Sequence, residues 1–280
     1  MEVTKARLSI VVCLSVILAS LTFTSTSDAG VAPDSIVGLW LFDEVGDDVA
    51  VDSSGNGLDG NIEGKPKWNE GVFGQALVFD GAQVRVVVPS IGSMKKDSGS
   101  ILLWVKPDFN IADSVTYGQI GIGGHYGDGL GVKDEKCHQI FKWGGNNNWF
   151  FRVGFDDPND GVGANQFATP QDLMLEGEWT HAAMTWEKGG QSLAYINGSR
   201  VGTLSGNTKT LTEWRQEQIL IGTSWDNDKH KGLIDEVGLF NAALSEDDIK
   251  NIMTNGLSVV LAVAPAGKLA VSWGNIKVGF

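Results

Sequence analysis

The chain is a succession of short apolar runs separated by glycine, asparagine and aspartate, with one segment of helical period towards its end. The runs of strand length and composition are I-V-G-L-W-L-F (36–42), A-L-V-F-D (76–80), Q-V-R-V-V-V (83–88), S-I-L-L-W-V (100–105), Q-I-F-K-W (139–143), W-F-F-R-V-G-F (149–155), W-T-H-A-A-M-T-W (179–186), S-L-A-Y-I (192–196), Q-I-L-I-G (218–222) and G-L-I-D-E-V-G-L-F (232–240). Short strands at this spacing, without helices alternating between them, predict an antiparallel sandwich or barrel. Asn197-Gly198 lies between Ile196 and Val201 and predicts a tight hairpin, because both residues tolerate positive φ. D-S-S-G-N-G-L-D-G (52–60) is too polar and glycine-rich for a strand and predicts a shaped loop.

One helix is predicted. Ser245 is its N-cap, Glu246, Asp247 and Asp248 load its first turn with negative charge, and Gly256 stops it. Ile249, Ile252 and Met253 share a face, so the helix should lie against the sheets. Beyond it, residues 257–280 are apolar but broken by Pro265 and Gly267, and read as a tail of uncertain structure.

Composition changes this picture in two ways. Thirty-seven glycines against seven prolines, with ten tryptophans, suit many short strands and tight turns over a sizeable core. Lys5 and Arg7 precede an apolar run from Leu8 to Phe23, with Ser27 and Ala29 at the small-residue positions before Gly30, so residues 1–29 read as a secretory signal peptide. Cleavage there would leave residues 30–256 as one domain, with 257–280 appended, and the protein secreted or at the cell surface, the periplasm included. A retained anchor is the alternative, although Ser15, Ser20 and Thr22 interrupt a run already short for a bilayer span.

The segment removed carries Glu2 and Asp28 besides Lys5 and Arg7, so the net charge stays at −13. A chain this acidic has no electrostatic reason to bind nucleic acid, and none to adhere to anionic lipid once the signal is gone. Cys13 lies in the apolar run, so Cys137 alone would survive cleavage, without an intramolecular disulfide partner.

Several motifs then occur in a telling order: G-L-W-L-F-D-E (38–44), D-S-S-G-N-G-L-D-G (52–60), G-Q-A-L-V-F-D-G (74–81), the strand with Trp104, E-W-T-H-A-A-M-T-W (178–186), A-Y-I-N-G (194–198) and G-L-I-D-E-V-G-L-F-N-A-A-L-S (232–245). Over roughly residues 34–256 the chain resembles the laminin-G-like, concanavalin-A-like jelly rolls. The resemblance implies an all-β, two-sheet antiparallel jelly-roll sandwich with one short C-terminal helix, often an accessory or adhesion module on a bacterial surface protein. It implies no single activity, since such folds host lectins, adhesion modules, glycosidases and lyases.

The site residues must therefore be weighed directly. Retaining glycosidases need two carboxylates about 5 to 5.5 Å apart, but Asp235 and Glu236 are adjacent, and strand alternation puts adjacent residues on opposite faces. Leu233 and Val237 or Gly238 stand where partner carboxylates would be needed. A lyase reading would draw on His138, Lys142 and Tyr126, yet Gln119-Ile120 is followed by Gly121 where the related lyases carry histidine, and His125 and His138 read as surface or loop residues.

Calcium is better supported, because it takes six to eight oxygens from carboxylates, amide carbonyls and irregular backbone. Asp52 and Asn56 supply such groups in one loop. By analogy with related jelly rolls, where an ion ties that loop to the first and last strands, Asp235 and Asp43 would join them. The competing reading is that Asp52 caps its own turn. For sugar recognition, Trp40, Trp104, Trp179 and Trp186 fall in strands and belong to the core, whereas Trp143, Trp149, Trp214 and Trp225 sit near polar loops, with Tyr126 and Asn147 as further candidates. The expected function is a non-catalytic module that recognises carbohydrate or a protein surface; a glycan-active lyase or hydrolase, and a purely structural surface domain, are the alternatives.

Overall fold

In the computed structural model, the residues described are 30–95, 97–123, 137–145, 148–154, 166–204, 217–224 and 228–262. The signal-peptide segment, Tyr126, His125, Asn147, Trp214 and Trp225 lie outside them. The strands are β1 (Ile36–Trp40), β2 (Val49–Ala50), β3 (Gly60–Glu63), β4 (Lys67–Glu70), β5 (Gln75–Asp80), β6 (Arg85–Val88), β7 (Ser98–Pro107), β8 (Tyr117–Ile122), β9 (His138–Lys142), β10 (Trp149–Val153), β11 (Gln166–Ala168), β12 (Thr180–Glu187), β13 (Ser192–Ile196), β14 (Ser199–Leu204), β15 (Ile219–Ile221) and β16 (Lys231–Phe240). Two helices, α1 (Glu246–Asn255) and α2 (Ser258–Ala262), follow.

The strands form two antiparallel sheets of eight, as expected for the jelly roll. Sheet A runs β14-β13-β12-β7-β16-β5-β4, with β1 also paired to β16. Sheet B runs β11-β10-β9-β8-β15-β6-β3-β2. Period-two alternation explains how they close on each other. Ile101, Leu103 and Val105 of β7 and Ala182, Met184 and Trp186 of β12 enter the core from sheet A; Ile120 and Ile122 of β8, Ile140 of β9, and Trp149, Phe151 and Val153 of β10 enter it from sheet B.

The outer face of sheet A carries a second apolar cluster. Leu39, Leu102, Ala183, Tyr195 and Phe240 pack there against Leu244, Ile249 and Ile252 at α1 and Leu257 and Val260 at α2. Helix α1 starts at the predicted cap: Ser245 accepts from the Asp248 amide at 3.1 Å, and the Asp248 carboxylate reaches back to the Ser245 amide. Gly256 stops it with φ of +78°. The segment read as a tail of uncertain structure begins with a helix whose Val260 is buried.

The predicted hairpin is also present. Asn197 (φ +48°) and Gly198 (φ +73°) connect β13 to β14 as a two-residue turn, in which both central residues need positive φ. Asn197 Oδ1 accepts from the His181 amide at 2.9 Å, tying the turn to β12.

Candidate functional site

The loop after β2 resolves the first site question. Asp52 Oδ1 accepts from the amides of Leu39 and Ser54, each at 3.0 Å, and its Oδ2 accepts from the Leu58 amide at 3.0 Å. Asn56 Nδ2 donates to the carbonyls of Ile36 and Val37, at 2.9 and 3.0 Å. Both side chains staple the loop to β1, and the Ser54 amide bonded to Asp52 is the turn-capping contact expected of it.

Asp43 and Asp235 do converge, through the turn between β4 and β5. Gln75 N donates to Asp43 Oδ1 at 2.8 Å, while Val72 N and Phe73 N donate to Asp235 Oδ2 at 2.8 and 3.1 Å. Glycine is required in this turn: a Cβ on Gly74, which has φ of +66°, would collide with the Asp43 carboxylate. Asp235 is 0% exposed and its Oδ1 has no hydrogen-bond partner.

Strand alternation fails at Glu236, contrary to expectation. The register against β7 shifts between Asp235 and Gly238, and Glu236 has φ of +51°, so a bulge re-aims its side chain. The Glu236 carboxylate accepts from the Leu257 amide, beside Gly256, whose Cβ position lies 3.2 Å from the Phe73 ring. The two carboxylates are therefore neighbours. Burial pushes Asp235 up to about 7, with the Asp43 charge adding to the rise. Burial likewise pushes Glu236 up to about 7, with Asp235 and Asp43 adding. Both are enclosed by backbone. Among the described residues, no group of three or more His, Cys, Asp or Glu side chains is arranged to hold a metal ion.

Two proton-transfer groups of the lyase reading, His138 and Lys142, are turned away from solvent by their strand positions; the third, Tyr126, lies outside the described residues. His138 faces inward, its ring 4.3 Å from that of Trp186, and burial holds it down to about 3. It is neither a surface nor a loop residue. Lys142 is also enclosed: its Nζ donates to Asp113 Oδ1, Asp113 O and Val115 O, each at 2.8 Å, and lies 5.4 Å from the centre of the Tyr117 ring. Lys142 holds the segment before β8 in place.

The opposite side chains of the same strands form the outer face of sheet B. Arg152 of β10 stands between Gln139 of β9 and Gln166 of β11 in register. Its guanidinium donates to Gln139 Oε1 and Gln166 Oε1, both at 2.9 Å, and Gln139 Nε2 donates onward to Ser224 O at 3.0 Å. Its Cζ lies 5.0 Å from the centre of the Phe141 ring. Aromatic rings continue the face: Phe141 and Phe150 stack at 5.5 Å, and Trp143, 37% exposed, lies 6.3 Å from Phe150.

Among the described residues, Trp143 is thus the sequence-nominated aromatic that reaches this surface. Trp149 does not; it is 0% exposed because β10 alternation turns it inward, where its Nε1 donates to Leu173 O at 3.2 Å. Gln139, Arg152 and Gln166 were not nominated from sequence. Their only sequence signal is polar residues at alternate positions of apolar strands, and strand pairing across 152–166 is needed to join them.

Comparison with known proteins agrees with this architecture. The family profile described as concanavalin A-like lectin/glucanases superfamily matches residues 80–250. No curated protein sequence matches the chain. Among solved structures, domain 4 of AbnA, a GH43 extracellular arabinanase from Geobacillus stearothermophilus, determined with arabinotriose, superposes with a TM-score of 0.58 at 23% identity, covering 78% of this chain and 98% of that one. The receptor-binding domain of botulinum neurotoxin mosaic serotype C/D superposes with a TM-score of 0.60 at 15% identity, covering 79% of this chain and 51% of that one. The binding domain of botulinum neurotoxin DC with SialylT gives 0.60 at 16%, covering 79% and 52%. The chain spans about half the length of these toxin domains.

Proposed function

Because the chain belongs to the concanavalin A-like lectin/glucanase superfamily, we propose that it is a non-catalytic module that binds carbohydrate on the outer face of sheet B. The observation that carries this reading is the juxtaposition of the exposed Trp143, tilted against the stacked Phe141–Phe150 pair, and the half-buried Gln166, which ends the row that begins with the buried Gln139 and Arg152. Sugar rings present apolar faces to aromatic side chains and hydroxyl edges to amides and guanidinium groups, so a surface offering both at once suits them. Domain 4 of the extracellular arabinanase has a structure in complex with arabinotriose, which supports the same class of ligand.

The non-catalytic part of the proposal rests on enclosure. Asp235 and Glu236 have carboxylates at the pKa of a general acid, but the turn at 71–74 and the start of α2 cover them. A calcium ion is proposed at Asp235 and Asp43 rather than in the 52–60 loop: Asp235 Oδ1 is a buried acceptor without a partner, and carbonyl and water oxygens would complete the shell. Export is proposed from residues 1–29, and N-terminal sequencing of the exported protein is expected to begin at Gly30. Among the described residues, no helix is long and apolar enough to cross a membrane.

The test is a glycan array followed by calorimetry with Trp143→Ala. The variant is expected to lose about 1–3 kcal/mol of binding free energy, the scale of one sugar–aromatic contact, with an unchanged unfolding midpoint. A wild-type protein that retains no glycan, or that captures only protein ligands, would overturn the reading.

A further inference from the structure

Beside β3 and β6, sheet B carries a cleft of about 470 Å³ that opens to solvent and is lined by Glu63, Gly64, Ala82, Gln83, Arg85 and Lys229. Ile62 of β3 and Val86 of β6 occupy the core side, so Glu63 and Arg85, paired in register, point to the outer face. Arg85 Nε donates to Glu63 Oε2 at 2.7 Å, an ion pair that fixes both side chains at the cleft. The turn between β5 and β6 is held by Asp80, whose Oδ1 accepts from the amides of Ala82, Gln83 and Val84 at 2.9, 2.7 and 3.0 Å. Gly64, with φ of +94°, lets the chain after β3 approach that turn: a Cβ there would lie 2.9 Å from the Gln83 carbonyl.

Lys229 completes the lining, and its backbone is pinned on both sides. Gly118 N donates to Asp228 O at 2.6 Å, His230 N donates to Gly222 O at 2.7 Å, and Gly81 N donates to His230 O at 2.9 Å. The cleft thus gathers two cations and one carboxylate in a chain whose net charge is −13. Register also relates it to Trp143. Ile140, Ile120, Ile221, Val86 and Ile62 form one cross-strand row through β9, β8, β15, β6 and β3. Trp143, Arg85 and Glu63 all lie beyond the same side of that row, with β9 and β6 three strand spacings apart, about 14 Å. One sugar ring does not span that distance, so the cleft is a second subsite at the same end of the sheet.

We infer that this cleft takes a carboxylate-bearing sugar, a uronate residue of an oligosaccharide, with Arg85 and Lys229 on its carboxylate and Glu63 and Gln83 on its hydroxyls. This rests on the carbohydrate reading above and names the class of ligand. Arginine and lysine donate to carboxylates through charge-assisted bonds, while a carboxylate and an amide oxygen accept from hydroxyls. The charges decide between classes. Two cations against Glu63 leave the lining with a net charge of +1, which matches a single carboxylate, and Asp80 directs its own charge at three amides of the turn. A neutral sugar gains nothing from that charge, and a bare anion makes no use of the hydroxyl acceptors. A cleft of this volume falls in the range of small-ligand sites, and it is reached without any rearrangement of the chain.

The experiment uses the full chain with Lys229→Gln, Arg85→Gln and Trp143→Ala, each checked by thermal unfolding. Calorimetry is run against an oligogalacturonate and a glucuronate-bearing xylo-oligosaccharide, against the methyl esters of both, and against inorganic phosphate. The wild type should bind at least one of the acids about tenfold or more tighter than its ester, the worth of a charge-assisted contact. Lys229→Gln should unfold at the wild-type temperature and lose at least about fivefold of that preference with ester affinity unchanged, and Arg85→Gln should lose the same preference. Lys229→Gln carries the test alone if loss of the Glu63 ion pair unfolds the other variant. Equal affinity for acids and esters, or a preference kept in folded Lys229→Gln, would overturn this inference, and with Trp143→Ala still impaired it leaves the carbohydrate reading in place. Phosphate bound as tightly as the acids would make the cleft a plain anion site and overturn the sugar assignment, and no saccharide bound by the wild type would overturn both readings.

Discussion

His181 offers a test of how strictly burial governs this protein. It sits on the outer face of sheet A in the cross-strand row Asp235–Trp104–His181, fully buried, with its ring 5.2 Å from the Trp104 indole at 65° and neither ring nitrogen paired. Trp104 separates it from Asp235, the carboxylate in that row, and burial alone holds the imidazole down from 6.5 to about 3. The unfolded chain therefore takes up a proton at His181 below about pH 6.5, which the folded chain refuses until about pH 3. Stability from this residue is intact above the unfolded value and is lost as pH falls through that window, at about 1.4 kcal/mol per pH unit.

His181→Phe keeps the ring and its edge-on contact but removes both the unpaired nitrogens and the proton uptake. Near pH 7.5 the variant should be equal to or up to about 2 kcal/mol more stable than wild type, the gain from deleting unpaired polar atoms being partly offset by the bulkier ring. By about pH 5.5 its advantage should widen by about 1.4 kcal/mol, and by about pH 4.5 by about 2.7 kcal/mol. Urea unfolding of both proteins, followed by tryptophan fluorescence, reads the difference directly. Taking the difference cancels His138 and His230, which are held down in the same way, and the oppositely shifted Asp235 and Glu236. Parallel stability profiles for the two proteins would refute the claim that His181 is buried and neutral.

Three further outcomes follow from the geometry. Asp52→Asn leaves the Leu58 amide facing an NH₂ group and should cost about 1–3 kcal/mol, read from the urea midpoint; no loss would mean the loop is held by Asn56 alone. Gly222→Ala meets the Phe79 ring at φ of +79°, whereas Gly145→Ala, at φ +74°, meets nothing within 4 Å. The first should cost at least about 2 kcal/mol more than the second, and equal losses would show that φ alone matters. Excess EDTA should lower the melting temperature of the wild type and leave Asp235→Asn unmoved; an unchanged wild type removes the calcium proposal.

Strands with a full apolar face were legible in the sequence, because the core selects them residue by residue. Each of the ten apolar runs contains or overlaps a strand, and the Asn197-Gly198 turn and the α1 caps are where local chemistry puts them. The strands that escaped are short or carry few apolar residues: β3 and β4 each have one large apolar side chain, and β8 spends three of its six positions on Gly118, Gln119 and Gly121. Their signal lies in pairing partners distant in sequence, such as β3 with β6 and β8 with β15. Glu236 escaped for a different reason. One residue in the left-handed region resets the phase of every side chain after it, and alternation arguments carry no warning of that.

The same accounting supports placing the proposed ligand on sheet B. Both sheets have an inner face that fills the core, so a ligand resting on either sheet would use its outer face. On sheet A that face is apolar and already occupied: α1 and α2 lay Ile249, Ile252, Leu257 and Val260 over Leu39, Leu102, Ala183 and Phe240. A ligand there would have to displace two helices and strip the Leu257 amide from Glu236. On sheet B the corresponding positions Gln119, Gln139 and Arg152 are also buried and Gln166 half-buried, but these are polar residues that gain nothing from apolar cover and cost free energy when buried without partners. Arg152 satisfies two of the three glutamines, and the third is left with its donor and acceptor open. Glutamine at that position of β8, two strands from Arg152 and on the face that Trp143 continues, gives sheet B a polar outer face where sheet A has an apolar one, and it is this difference in chemistry that favours sheet B for a polar ligand.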